Sequence, residues 1–203
     1  MTLGLGTGST VAFLLPALAR RQLDGLVCVA TSPATEQAAL ALGIDVRPFD
    51  EIDRLDLAID GADQVSPGSW IVKGAGGAHV REKVVASAAE RFVVIVSPDK
   101  LVEAVRAPVP VELLEFGLRA TIRSLGDVRL RVGAPRSPDG GLIADWWGSG
   151  GAGAGAELDV DPAELAVALD REAGVIGHGL FPPELVHDVI VGYADGRTET
   201  LFG

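Results

Sequence analysis

Three stretches of this 203-residue chain have residue types and spacings that suit chemistry on an anionic, hydroxyl-rich ligand. The first is Gly4-Leu5-Gly6-Thr7-Gly8-Ser9-Thr10, which follows a short apolar run and precedes the periodic Val11 to Arg20. It reads as a strand end turning into a helix N-terminus. Glycines let backbone N–H groups converge there, the helix dipole adds partial positive charge, and three hydroxyls add donors, which suits a phosphate. The same residues also suit a tight βα turn with Ser9 or Thr10 as N-cap. A dinucleotide site would need a further glycine and an acidic residue at the end of the next strand, whereas that strand ends Ala30-Thr31-Ser32. This argues against NAD.

The second stretch is Asp60-Gly61-Ala62-Asp63, after the apolar Leu57-Ala58-Ile59, at the strand edge where open α/β sheets bind ligands. Two carboxylates on one turn can orient sugar hydroxyls or move protons; singly, either could close an Asx-type turn. The third is Lys73-Gly74-Ala75-Gly76-Gly77, then Ala78-His79-Val80-Arg81-Glu82-Lys83 at a helix start. A lysine before a glycine loop offers a point charge to an oxyanion, and Glu82 can point back over that loop or sit solvated in the first turn. Fourteen of the seventeen basic residues are arginine, which makes Lys73, Lys83 and Lys100 stand out. Lys73 and Lys100 follow strands on the expected ligand edge, where a compact ammonium serves and a planar guanidinium would not; Lys83 fits a solvated helix position.

The elements that must carry these residues alternate. Strands are expected at Leu26–Ala30, Ile44–Val46, Leu57–Asp60 and Phe92–Val96, and helices at Pro33–Leu42 and Val80–Ala89. That alternation implies a Rossmann-like parallel sheet with helices on both faces. From Pro108 the order becomes strand Val109–Leu113, helix Glu115–Leu125, strands Val128–Val132 and Leu142–Ala144, helix Pro162–Ala173 and strand Gly174–Ile176. This is the pattern of a small α+β, ferredoxin-like domain of split βαβ type. The apolar run Val186–Gly192 returns to the first sheet, so the expected domains are 1–104 with 180–203, and 105–179. Residues 148–155, all small, read as a mobile hairpin tip.

Composition removes several classes of function. With 17 basic and 28 acidic residues the formal charge is −11, which disfavours nucleic acid and anionic membranes as partners. Apolar residues make up 48% of the chain, yet the apolar runs are strand-sized and none could span a bilayer. No basic and then apolar leader follows Met1, so a cytoplasmic location is expected. Cys28, the only cysteine, lies in the apolar Leu26-Val27-Cys28-Val29-Ala30 and reads as core. His79, His178 and His187 show no metal-ligand spacing and no cysteine cluster exists to join them, so no dedicated transition-metal site is expected.

Taken in order, GLGTGST, TSPAT, DGAD, KGAGGAHVREK, SPDK and GLF resemble the type A ribose-5-phosphate isomerase family over nearly the whole chain. The resemblance implies a phosphosugar substrate bound at Thr7, Gly8, Ser9 and Thr10, at Asp60, Gly61, Ala62 and Asp63, and at Lys73, Gly74, Ala75, Gly76 and Lys100. It implies Glu82 as catalytic base, with Asp60, Asp63 and Lys73 completing the catalytic set, and a homodimer. The implied reaction interconverts D-ribose 5-phosphate and D-ribulose 5-phosphate through an enediolate, in the non-oxidative pentose phosphate branch, without a metal. Four departures stand out. The chain begins almost inside the first strand, where the family has a leading helix; Gln64 stands where Glu is common; Ala75 stands where Gly is usual; and 148–155 is glycine-rich where the family has an ordinary hairpin. Two rival readings are a non-catalytic sugar-phosphate sensor or inactive truncated paralogue, and an amino-sugar phosphate deaminase or lactonase. A sensor needs no base over C2, and the deaminase or lactonase would recruit a histidine, for which His79 is the one candidate.

Overall fold

The computed structural model describes residues 1–148 and 153–201. Its helices are α1 (Ser9–Arg21), α2 (Pro33–Ala41), α3 (His79–Ala88), α4 (Leu118–Leu125) and α5 (Pro162–Arg171). Its strands are β1 (Thr2–Leu5), β2 (Val27–Ala30), β3 (Leu57–Asp60), β4 (Gln64–Val65), β5 (Ile71–Val72), β6 (Phe92–Val96) and β7 (Val109–Leu113). The remainder are β8 (Val128–Leu130), β9 (Leu142–Trp146), β10 (Val175–His178), β11 (Leu180–Phe181), β12 (Asp188–Gly192) and β13 (Thr198–Thr200). The chain divides into two compact units.

The first unit comprises Met1–Ala62, Arg81–Pro98 and Glu184–Gly203 and holds the six-stranded sheet β13-β12-β6-β3-β1-β2. The five strands β2, β1, β3, β6 and β12 run parallel, and β13 closes the edge antiparallel to β12. The apolar run at 186–192 thus joins the first sheet, as expected. Strands of a covered parallel sheet bury both faces, which explains near-continuous apolar runs such as Phe92 to Val96. One core cluster contains Leu3 and Leu5 of β1, Val11 and Leu15 of α1, Cys28 of β2, Ala39 of α2 and Ile44. Cys28 is fully buried, and that burial, reinforced by the negative charge of Asp45, pushes its thiol up to about 12. Ile44–Val46, expected as a strand, contributes a single bridge between Val46 and Cys28.

The second unit comprises Asp63–Val80 and Asp99–Pro183. Its four-stranded sheet has the order β10-β7-β9-β8 with every neighbour antiparallel, and α4 and α5 each connect strands that are not adjacent. This is the split βαβ arrangement expected from the sequence. Val109, Val111, Leu113, Ala144, Trp146, Leu165 and Leu169 build its core. Helix α4 starts at Leu118 rather than at Glu115, because Gly117 adopts φ 73° as its N-cap and ends the loop there. A separate three-stranded sheet, β11-β5-β4, was not anticipated. The hairpin-tip reading of 148–155 falls partly on 149–152, which lie outside the described residues.

In the first unit Arg91 grips buried Asp188 at the start of β12, with Nε to Oδ2 at 2.6 Å and Nη2 to Oδ1 at 2.8 Å. This bond holds the Asp188 carboxyl below the usual carboxylate range. A carboxyl lowered by folding stabilises the native state above its unfolded value of about 3.9 and loses that contribution as pH falls through the folded value. Arg91→Met should therefore lower the urea midpoint by a constant amount from pH 8 to about pH 5, and the gap should close below about pH 4. A gap independent of pH would show that Arg91 stabilises the protein by packing alone.

Candidate active site

In the first unit the chain runs from β1 to β2 on one side and returns to β3 on the other, so the carboxyl ends of β1 and β3 flank a switch point of the sheet. Asp60 ends β3 and is 3% exposed. Its Oδ1 accepts the Gly61 N–H at 2.7 Å and the Thr7 N–H at 3.2 Å. The first bond is the local Asx-type contact, while the second ties the turn after β3 to the glycine turn after β1. A Cβ at Gly6 would fall within the Asp60 carboxyl group, so glycine is required there by space alone. Gly8, at φ 112°, is the N-cap of α1, and no side chain caps that helix. Ser9 and Thr10 therefore are not N-caps; they sit in the first turn of α1, Ser9 exposed and Thr10 half-buried.

Behind the turn lies a hydroxyl scaffold that sequence reasoning did not assign. Thr7 and Thr31 share a hydroxyl contact at 2.8 Å, and Thr31 Oγ1 donates to Leu5 O at 3.2 Å. Thr35 Oγ1 donates to Gly6 O at 2.9 Å, and Ser32 Oγ donates to Thr35 Oγ1 at 3.1 Å. Ser32 also caps α2 by accepting the Thr35 N–H, with Pro33 opening the helix. The TSPAT string thus fixes the carbonyls of the glycine turn, and its run of hydroxyls at a strand end was the available signal. Glu82, in the first turn of α3, is 6% exposed, so it is not the solvated glutamate that its position alone would suggest.

In the second unit Lys73 follows β5 and is 3% exposed, with its ammonium 5.8 Å from the centroid of the Phe181 ring. Its backbone N–H donates to Gly179 O at 2.9 Å, and a Cβ at Gly179 would collide with the Lys73 carbonyl. The GLF string therefore gives a close backbone approach, a core leucine and the ring beside Lys73. Gly74 adopts φ 114° against Pro110 and the buried His79. Asp63 Oδ2 accepts the Ala75 N–H at 2.9 Å, which brings a DGAD carboxylate and the lysine-glycine loop together. Lys100 ends a single 3-10 turn, half-buried, with Nζ 3.4 Å from Asp99 Oδ2. Lys83 is half-buried as well. Among the described residues no group of three or more His, Cys, Asp or Glu side chains could hold a metal ion.

The family model described as ribose 5-phosphate isomerase A (phosphoriboisomerase A) matches residues 27–196. A curated relative named ribose-5-phosphate isomerase A, from Roseiflexus castenholzii, is 44% identical over 98% of this chain and 87% of its own. The chain belongs to the ribose 5-phosphate isomerase A family. The crystal structure of ribose 5-phosphate isomerase A from Neisseria gonorrhoeae superposes with TM-score 0.88 at 31% identity, over 99% of this chain and 88% of that one. A D-ribose-5-phosphate isomerase structure in complex with phospho-erythronic acid also gives TM-score 0.88, at 32% identity, over 100% of this chain and 91% of that one.

Two departures from the family pattern have local explanations. Gln64 Oε1 accepts the Arg106 N–H and Gln64 Nε2 donates to Arg106 O, both at 2.8 Å, a two-way pairing that an ionised glutamate cannot make. Ala75 is exposed and needs no positive φ, so its methyl group is accommodated.

Gly6→Ala should lower the unfolding free energy by about 1–3 kcal/mol. Thr35→Val, which leaves Gly6 O without its donor, should cost about 1–2 kcal/mol. Gly68→Ala, at an exposed turn with open space around it, should stay within about 0.5 kcal/mol by urea titration. A Gly6→Ala protein as stable as that control would show that the Asp60 carboxylate is not held against the glycine turn.

Proposed function

We propose that this chain catalyses the aldose–ketose interconversion of D-ribose 5-phosphate and D-ribulose 5-phosphate by proton transfer. The observation that carries this reading is the match, along 98% of the chain, to a relative bearing the name of that isomerase. The solved relative complexed with phospho-erythronic acid, a phosphorylated sugar acid, supports a phosphosugar as the substrate class.

The residues have separable roles. Gly8, Ser9 and Thr10 hold the phosphate with backbone N–H groups and the Ser9 and Thr10 hydroxyls at the start of α1, Thr7 shapes the turn through its bonds to Asp60 and Thr31, and Lys100 adds charge. Ring opening gives the free aldehyde, with Asp60 assisting proton movement at O1 and O2. Glu82 takes the C2 proton, the electron pair forms the C1–C2 double bond of an enediolate, and the proton returns to C1 as the C2 carbonyl forms. Lys73 offsets the enediolate charge, and Asp63 orients hydroxyls. Gly61 and Ala62, with Gly74, Ala75 and Gly76, let the backbone approach the sugar. No cofactor enters this scheme. We further propose that the protein is cytoplasmic and that it works as a homodimer in the pentose phosphate pathway.

Glu82→Gln should lower kcat by about 1,000-fold or more while ribose 5-phosphate still binds by calorimetry. A variant keeping more than about a tenth of wild-type turnover would move the base elsewhere, most directly to Asp60. Exhaustive treatment with EDTA should leave the rate unchanged; loss restored by a divalent ion would overturn the metal-free scheme.

A further inference from the structure

Arg131 lies just past β8 in the second unit and reaches the lysine-glycine loop from a distant part of the sequence. Its Nη1 donates to Gly74 O at 2.8 Å and to Ala75 O at 3.0 Å. The rest of the guanidinium is taken by Asp145 on β9, with Nε to Oδ2 at 2.8 Å and Nη2 to Oδ1 at 2.7 Å. Both side chains are mostly shielded, at 21% and 15% exposure, so this is not a loose surface ion pair.

The geometry of the peptide bond gives this clamp a reach beyond the loop. In a trans peptide the C=O and N–H point in opposite directions. With Gly74 O turned to Arg131, the N–H of the same peptide plane, that of Ala75, faces the other way, where it donates to Asp63 Oδ2 at 2.9 Å. One rigid plane thus connects the guanidinium on one side to the Asp63 carboxylate on the other. The Ala75–Gly76 plane is oriented by the same nitrogen. A planar fork suits this arrangement, because one edge fixes the guanidinium on Asp145 in two-point fashion while the remaining donor spans two carbonyls, which a single ammonium cannot do.

We propose that Arg131, aligned by Asp145, is a positioning residue for the isomerisation: it sets the Gly74–Ala75 peptide plane and through it the direction in which Asp63 presents its carboxylate. The inference rests on the assignment of Asp63 as the carboxylate that orients substrate hydroxyls.

A double-mutant cycle on kcat/KM for ribose 5-phosphate tests it, using Arg131→Met, Asp63→Asn and the combination, with Arg131→Lys as a variant that keeps the charge. Arg131→Met should lose about 30-fold and Arg131→Lys about 10-fold, and Asp63→Asn about 100-fold. Because Arg131 acts through Asp63, the double variant should fall no more than about threefold below Asp63→Asn alone. A purely structural arginine would give losses that multiply, and that result overturns the proposal. So does an Arg131→Met protein within twofold of wild type when Asp63→Asn is impaired, an outcome that leaves the function of Asp63 intact. If Asp63→Asn itself turns over normally, the Asp63 assignment fails and the positioning role falls with it. Should Arg131→Met not fold, the same cycle is read with Arg131→Lys, where multiplicative losses again count against the proposal.

Discussion

The Asp60 carboxylate lies where a side chain at Gly6 would have to be, and the glycine turn after β1 is fastened to the turn after β3 at that contact. A carboxylate 3% exposed at a sheet edge is costly to desolvate unless donors meet it. Here two backbone N–H groups do so, from Gly61 in its own turn and from Thr7 in the next, each charge-assisted bond contributing about 1.5–3 kcal/mol. The Thr7 bond is available only because Gly6 has no Cβ. Once the glycine turn is fastened in this way, Gly8 can act as N-cap at positive φ and the first turn of α1 carries no side-chain cap. Thr31 and Thr35 hold the carbonyl side of the same turn, so its N–H groups and carbonyls are fixed from opposite directions.

The lysine-glycine loop follows the same logic with different parts. Gly179 permits backbone contact with Lys73, Gly74 takes a positive φ against His79 and Pro110, and Arg131 gathers the two carbonyls that follow. In both units glycine makes the close approach possible and a charged side chain fixes the peptide planes. In the proposed reaction such preorganisation lets donors stabilise developing negative charge without reorganising.

The parts legible in the sequence were those where one local string had to satisfy backbone geometry and chemistry together. The glycine turn, DGAD and the lysine-glycine loop are of this kind, as are the alternating strands and helices and the split βαβ order. What escaped was set by contacts between residues distant in sequence. Arg131 meets a loop more than fifty residues away, and nothing near it distinguishes it from the other arginines. The strands β4, β5 and β11 have two residues each, too few to show a period, and β13 is exposed throughout. Glu82 was legible as a position but not as a buried group, because only the packing of α3 removes it from solvent. Gln64 looked like a departure without a reason until its pairing with the Arg106 backbone supplied one.

The proposed isomerisation moves a proton between C2 and C1 of the phosphosugar. The most direct test is to turn over ribose 5-phosphate carrying deuterium at C2 in ordinary water and to follow the label by NMR. Proton transfer by Glu82 predicts a primary isotope effect on turnover and ribulose 5-phosphate whose C1 has taken up solvent hydrogen in place of deuterium. Complete retention of the label at C1, with none released to solvent, would rule out proton transfer through Glu82 and point to direct hydride transfer.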